Sequence, residues 1–153
     1  MGENARILIV DDDENIRKVL STILVEEGYA IDTARNGKEA INKSNEKFYN
    51  LALIDIRLPD IQGVELLSKI RDTTPKMRKI IITGYPSLQN AVEALNRGAD
   101  AYVMKPFEME KILKTIKEQL RKQREEKRYC QEKVKDFIET RVKELKKEKT
   151  VIK

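Results

Sequence analysis

The chain has 153 residues, 40% hydrophobic and 37% charged, which suits one domain with a real core and leaves no room for two large ones. It has no histidine and a single cysteine, Cys130. That excludes Ser-His-Asp and Cys-His catalysis, His-ligated or thiolate zinc, an intrachain disulfide and any role as a phosphohistidine donor.

The net charge of +5 is unevenly spread: residues 1–107 hold 15 basic and 16 acidic side chains, net −1, whereas residues 108–153 hold 16 and 10, net +6. In the tail the two signs are interspersed, which reads as a solvated helix face, so direct nucleic-acid binding is not expected. No apolar run approaches the roughly 18 residues of a membrane span, and Met1-Gly2-Glu3-Asn4-Ala5-Arg6 offers no apolar signal region. A cytoplasmic location without a membrane partner is the expectation.

Arg6-Ile7-Leu8-Ile9-Val10 is a short apolar run that stops abruptly at Asp11-Asp12-Asp13, as a strand buried on both faces would. Ile16, Val19, Leu20, Ile23 and Leu24 recur at helical spacing, and Gly28 stands where a helix cap belongs. Ala30 to Ala34 reads as a second strand, and Asn36-Gly37 opens a weaker helix reaching about Lys47. Leu51-Ala52-Leu53-Ile54 is a third buried strand ending in Asp55, and Leu58-Pro59-Asp60-Ile61-Gln62-Gly63 is a turn-rich loop. A third helix carries Val64, Leu67 and Ile70 and stops before Pro75. Lys79-Ile80-Ile81-Ile82 is a fourth strand ending in Thr83-Gly84. Helix four carries Leu88, Ala91, Val92 and Leu95 and closes at Asn96-Arg97-Gly98. Ala101-Tyr102-Val103-Met104 is the fifth strand, followed by Lys105-Pro106-Phe107, and helix five runs from near Glu108 with Met109, Ile112, Leu113, Ile116 and Leu120 facing inward.

Five strands alternating with five helices predict a parallel sheet with helices on both faces, joined by right-handed crossovers. In such a sheet all the strand ends share one edge, and ligands bind there. Asp11, Asp12, Asp55, Thr83 and Lys105 therefore meet at that edge although about a hundred residues separate the first from the last. Clustered carboxylates repel one another unless a cation or a proton intervenes. Oxygen-only ligands suit a hard ion such as Mg²⁺. A carboxylate can also act as a nucleophile towards phosphorus, with lysine and hydroxyl groups stabilising the phosphoryl oxygens.

Ile9-Val10-Asp11-Asp12-Asp13, Leu53-Ile54-Asp55-Ile56-Arg57-Leu58-Pro59, Thr83-Gly84 and Lys105-Pro106-Phe107 resemble, in order and spacing, the receiver domain of two-component response regulators over residues 5–120. The resemblance implies a flavodoxin-like doubly wound sheet of order 2-1-3-4-5, the order seen in chemotaxis receivers. It implies that Asp55 accepts a phosphoryl group from a sensor histidine kinase. Asp12 and Asp55 would bind Mg²⁺ directly, Asp11 through a water, and the Arg57 carbonyl would complete the protein ligands. Thr83 and Lys105 would contact the phosphoryl oxygens, Tyr102 would be the switch aromatic, and Lys105-Pro106 would be a cis peptide. Output would pass to a downstream protein or domain through the surface of helix four, strand five and helix five. Such a domain is a signalling module with weak self-catalysed phosphoryl transfer and autodephosphorylation, whose rate Arg57 and Tyr85 would influence.

Plainer roles exist for the same residues. Asp13 reads as an N-cap of helix one. A haloacid-dehalogenase-type phosphatase would use an Asp pair such as Asp11 and Asp13, yet the later paired acids and a cap insertion are missing. A degenerate receiver acting as a binding module is disfavoured by the intact Asp12, Asp55, Thr83 and Lys105. The receiver is expected over 1–120, and 121–153 reads as a basic helical extension, since Arg121 to Lys149 lacks Gly and Pro. Its apolar seam of Cys130, Val134, Phe137, Ile138, Val142 and Leu145 is interrupted upstream by Gln123 and Lys127. That leaves three readings open: a homodimer through helix five and its extension, a connector to an output module, or a helix folded back on its own domain.

Overall fold

The computed structural model describes the backbone of residues 5–84 and 87–152; Met1–Asn4 and Tyr85, about which the sequence raised expectations, lie outside the described residues. The elements run β1 (Arg6–Val10), α1 (Glu14–Glu26), β2 (Ala30–Ala34), α2 (Gly37–Glu46), β3 (Leu51–Asp55), α3 (Gly63–Lys69), β4 (Arg78–Thr83), α4 (Leu88–Asn96), β5 (Ala101–Met104) and α5 (Met109–Ile152). All strand pairings are parallel, in the order β2-β1-β3-β4-β5. Every residue of β3 and β4 is buried, which is why these strands read as continuous apolar runs rather than alternating ones.

Each face of the sheet has its own core. Leu8, Val10, Ala52, Ile54 and Ile81 pack under α2, α3 and α4 with Ala40, Leu66, Leu67 and Ala94. Ile7, Ile9, Leu53, Ile80 and Ile82 pack under α1 and α5 with Leu20, Leu24, Ile112, Ile116 and Leu120. The helix boundaries follow local chemistry. Asp13, Asn36 and Ser87 each accept backbone N–H bonds at the N-terminus of α1, α2 and α4. Gly28 and Gly98, at φ of 97° and 106°, turn the chain out of α1 and α4 in a conformation that a side chain would strain.

Helix α4 departs from its apolar pattern. Leu88, Val92 and Leu95 are largely exposed, and the small Ala94 is its buried residue. Lys105-Pro106 is cis as the resemblance implied, and Thr74-Pro75 is cis as well.

The opposite, amino edge of the sheet holds a polar network with α5. Gln123, which interrupts the apolar seam in sequence, is only 3% exposed. Its amide donates to the Asn50 carbonyl and the Lys76 carbonyl, both at 2.8 Å, and accepts from Asn50 Nδ2 at 3.2 Å. The Asn50 side chain also accepts the Arg6 N–H at 2.9 Å. Next to it Arg78 pairs with Asp100 at 3.2 Å and with Glu126 of α5. Helix α5 is thus fixed to the starts of β1, β3 and β4 through residue 126.

Candidate functional site

At the carboxyl edge, β1 delivers Asp11 and Asp12, β3 delivers Asp55, β4 delivers Thr83, and the chain leaving β5 delivers Lys105. Asp11 is 4% exposed; one carboxylate oxygen accepts the Asp13 N–H at 2.9 Å and the other lies 3.0 Å from Lys105 Nζ. Lys105 Nζ is also 3.6 Å from Asp55 Oδ2, so a single ammonium lies against two buried carboxylates. Asp12 is exposed, yet one oxygen from each of Asp11, Asp12 and Asp55 lies within 4.8 Å of the others. Thr83 is fully buried at the end of β4, and its carbonyl accepts the Lys105 N–H at 2.6 Å. The sequence-predicted group is therefore brought together.

The charge balance there is unequal: three carboxylates face one lysine. Burial, then the negative charge of Asp11, push the Asp55 carboxyl above the ordinary carboxylate range, against the pull of Lys105 and the Arg57 N–H. The Arg57 N–H lies 3.4 Å from Asp55 Oδ1. Three oxygen donors that repel one another and contain no sulfur or nitrogen fit a hard divalent cation such as Mg²⁺.

The loop after β3 is held by bonds that the sequence did not announce. The Ile56 N–H donates to the Ile82 carbonyl and the Gly63 N–H to the Ile56 carbonyl, while Arg57 forms a bridge with Gln62. A Cβ on Gly63 would lie 2.2 Å from the Asp55 carbonyl oxygen and 2.8 Å from Ile56 Cα, so only glycine lets α3 start against the acceptor strand. Asp60 accepts the N–H groups of Gly37 and Lys38 at 2.8 and 2.9 Å, tying this loop to the start of α2. Those two donors hold the Asp60 carboxyl below its usual range. On the other side, Arg17 of α1 donates to the Asp11 carbonyl at 2.8 Å.

Asp13 does cap α1, accepting from Asn15 and Ile16. Tyr102, on the edge strand β5, packs against the core beneath α2, α3 and α4, and its buried hydroxyl has no hydrogen-bond partner among the described residues.

A family model for the response regulator receiver domain matches residues 7–117. Over 119 residues the chain is 40% identical to the transcriptional regulatory protein ZraR of Klebsiella oxytoca, covering 78% of this chain and 27% of that protein. It is also 40% identical over 119 residues to the uncharacterised transcriptional regulatory protein YkoG of Bacillus subtilis, covering 78% and 52%. A CheY-like response regulator receiver protein from Methanospirillum hungatei superposes with a TM-score of 0.77 at 49% identity, over 80% of this chain and 98% of that one. The chain belongs to the response regulator receiver family of two-component signalling. It spans about half or less of the length of these curated relatives. Among the described residues no helix is long and apolar enough to cross a membrane.

Proposed function

We propose that this receiver accepts a phosphoryl group on Asp55 from the phosphohistidine of a sensor histidine kinase, and relays it through the surface of α4, β5 and α5. What supports this is the meeting of Asp11, Asp12 and Asp55 within 4.8 Å, with Lys105 against two of them, at the ends of separate strands. An Asp55 carboxylate oxygen attacks phosphorus, a P–O bond forms, and the P–N bond to the donor imidazole breaks with its electron pair returning to nitrogen.

Asp12, Asp55 and the Arg57 carbonyl would hold Mg²⁺, with Asp11 acting through a water. Bound there, the ion would supply positive charge against the crowded carboxylates and the phosphoryl oxygens. Lys105 exchanges part of its contact with the carboxylates for a phosphoryl oxygen, and the Thr83 hydroxyl donates to another. Tyr102 adjusts with Thr83, and its unpartnered hydroxyl finds a bond in one of the two packings. Leu88, Val92, Leu95 and Met104 give the output surface an exposed apolar character that suits a protein partner. The phosphoryl group biases the switch only by as much as it favours one packing over the other. Hydrolysis of the acyl phosphate resets it, with Arg57 beside the leaving oxygen.

The test is intact mass after incubation with Mg²⁺ and acetyl phosphate. One phosphoryl group is expected on the native chain, dependent on Mg²⁺, and none on Asp55→Asn. No adduct on rapid quenching, together with no release of phosphate, would overturn the proposal.

A further inference from the structure

Helix α5 is unbroken over 44 residues, and the part beyond Glu126 leaves the domain behind. At about 100° per residue, Cys130, Val134, Ile138 and Leu145 fall within an arc of about 80° shared with Ile116 and Leu120. The stripe that buries Ile116 and Leu120 under the sheet therefore continues, uncovered, along the free half of the helix. Val134, Phe137 and Ile138 are 58%, 72% and 54% exposed, and Val142 and Leu145 are about half exposed. The rest of the chain reaches this stripe only at its near end, where Thr73–Lys76 form a groove against Glu126–Val134. Beyond Val134 the domain has run out.

The charges beside the stripe select what can cover it. Along one edge stand Arg124, Arg128, Lys135 and Lys146, with Glu139 set further round; along the other stand Glu126 and Glu144. The two cations that break this division are drawn aside. Lys133 lies over the Tyr129 ring at 5.4 Å, on the helix's outer side, and Arg141 pairs with Glu144 at 3.1 Å. In a parallel helix pair each edge meets the opposite edge of its partner, whereas an antiparallel pair sets basic edge against basic edge. A second copy of this chain, parallel and in register, supplies both the apolar face and the complementary edges.

We infer that the chain forms a parallel two-fold dimer through residues 130–145 of α5, independently of Asp55 chemistry. The stripe advances about 3.6 residues per turn, so the two helices lie nearly straight rather than strongly supercoiled. A two-fold axis along the helices also sets Cys130 beside its counterpart.

The test uses the full chain in sedimentation equilibrium and in a thiol cross-linking assay. The native chain is expected at twice the chain mass. Val134→Glu/Ile138→Glu is expected at the chain mass with an unchanged helical signal, since both positions face solvent in the single chain. Diamide, which takes up the two thiol hydrogens, is expected to link the native dimer through Cys130, the only cysteine, and to leave the double variant unlinked. A monomeric native chain overturns the inference, whatever other protein then covers the stripe. A dimer that survives the double variant places the interface elsewhere and also overturns it. A dimer lost in the variant but never linked through Cys130 overturns the parallel arrangement. Phosphoryl uptake by the monomeric variant is expected to equal that of the native chain, so failure of the dimer and failure of the Asp55 reading are separable.

Discussion

The two edges of one parallel sheet are built on opposite principles. At the amino edge, Gln123 answers Asn50 and Lys76, and Arg78 is met by Asp100 and Glu126. At the carboxyl edge three carboxylates face one lysine, and Asp55 is held in a form that burial and Asp11 both oppose. A polar group that is buried with its partners fixes a structure, while one buried against its like stores free energy that a ligand can release. The first edge anchors a helix; the second awaits a cation and a phosphoryl group.

The largest expected effect tests whether the strained edge is as intolerant of volume as it is tolerant of charge. Gly63→Ala forces a methyl group onto the Asp55 carbonyl and the Ile56 backbone, and should cost about 3 kcal/mol in urea unfolding. A cost near that of a surface substitution would mean that the start of α3 can slide. At the amino edge, Gln123→Ala should cost about 2 kcal/mol, because the Lys76 carbonyl and the Asn50 amide each lose a buried partner. A negligible loss there would remove the contrast between the edges.

The smallest effect has the opposite sign. The folded-state pKa of Asp55 is raised, so the native protein favours the protonated carboxyl. Its stability then falls as pH rises from the ordinary carboxylate range through that raised pKa, and stays lower above it. Without Mg²⁺ at neutral pH, Asp55→Asn should therefore unfold at a slightly higher temperature than the native chain. Adding Mg²⁺ should raise the native midpoint and close the gap.

Much of the carboxyl edge was legible because buried strands announce themselves as apolar runs, and a charged residue at the abrupt end of such a run has few structural excuses. Asp11, Asp55, Thr83 and Lys105 were found this way, while the cis bond at Lys105-Pro106 came from the resemblance alone. The amino edge was opaque. Gln123 looked like a flaw in an apolar seam, because its partners are backbone carbonyls 47 and 73 residues away, and no periodicity reports those. Asp60 and Gly63 read simply as turn formers, although one ties the acceptor loop to α2 and the other makes room for Asp55. Helix α4 misled in another way: Leu88, Val92 and Leu95 mark an apolar stripe, but the sheet lies under the smaller Ala94.

The clamp at Gln123 makes α5 a lever with unequal arms. From Met109, a few residues past Lys105, to the clamp is about 21 Å of helix, and from the clamp to Ile152 about 44 Å. With the fulcrum at the amino edge, any sideways displacement of the near end, beside the phosphoacceptor, emerges at the far end reversed in direction and about twice as large.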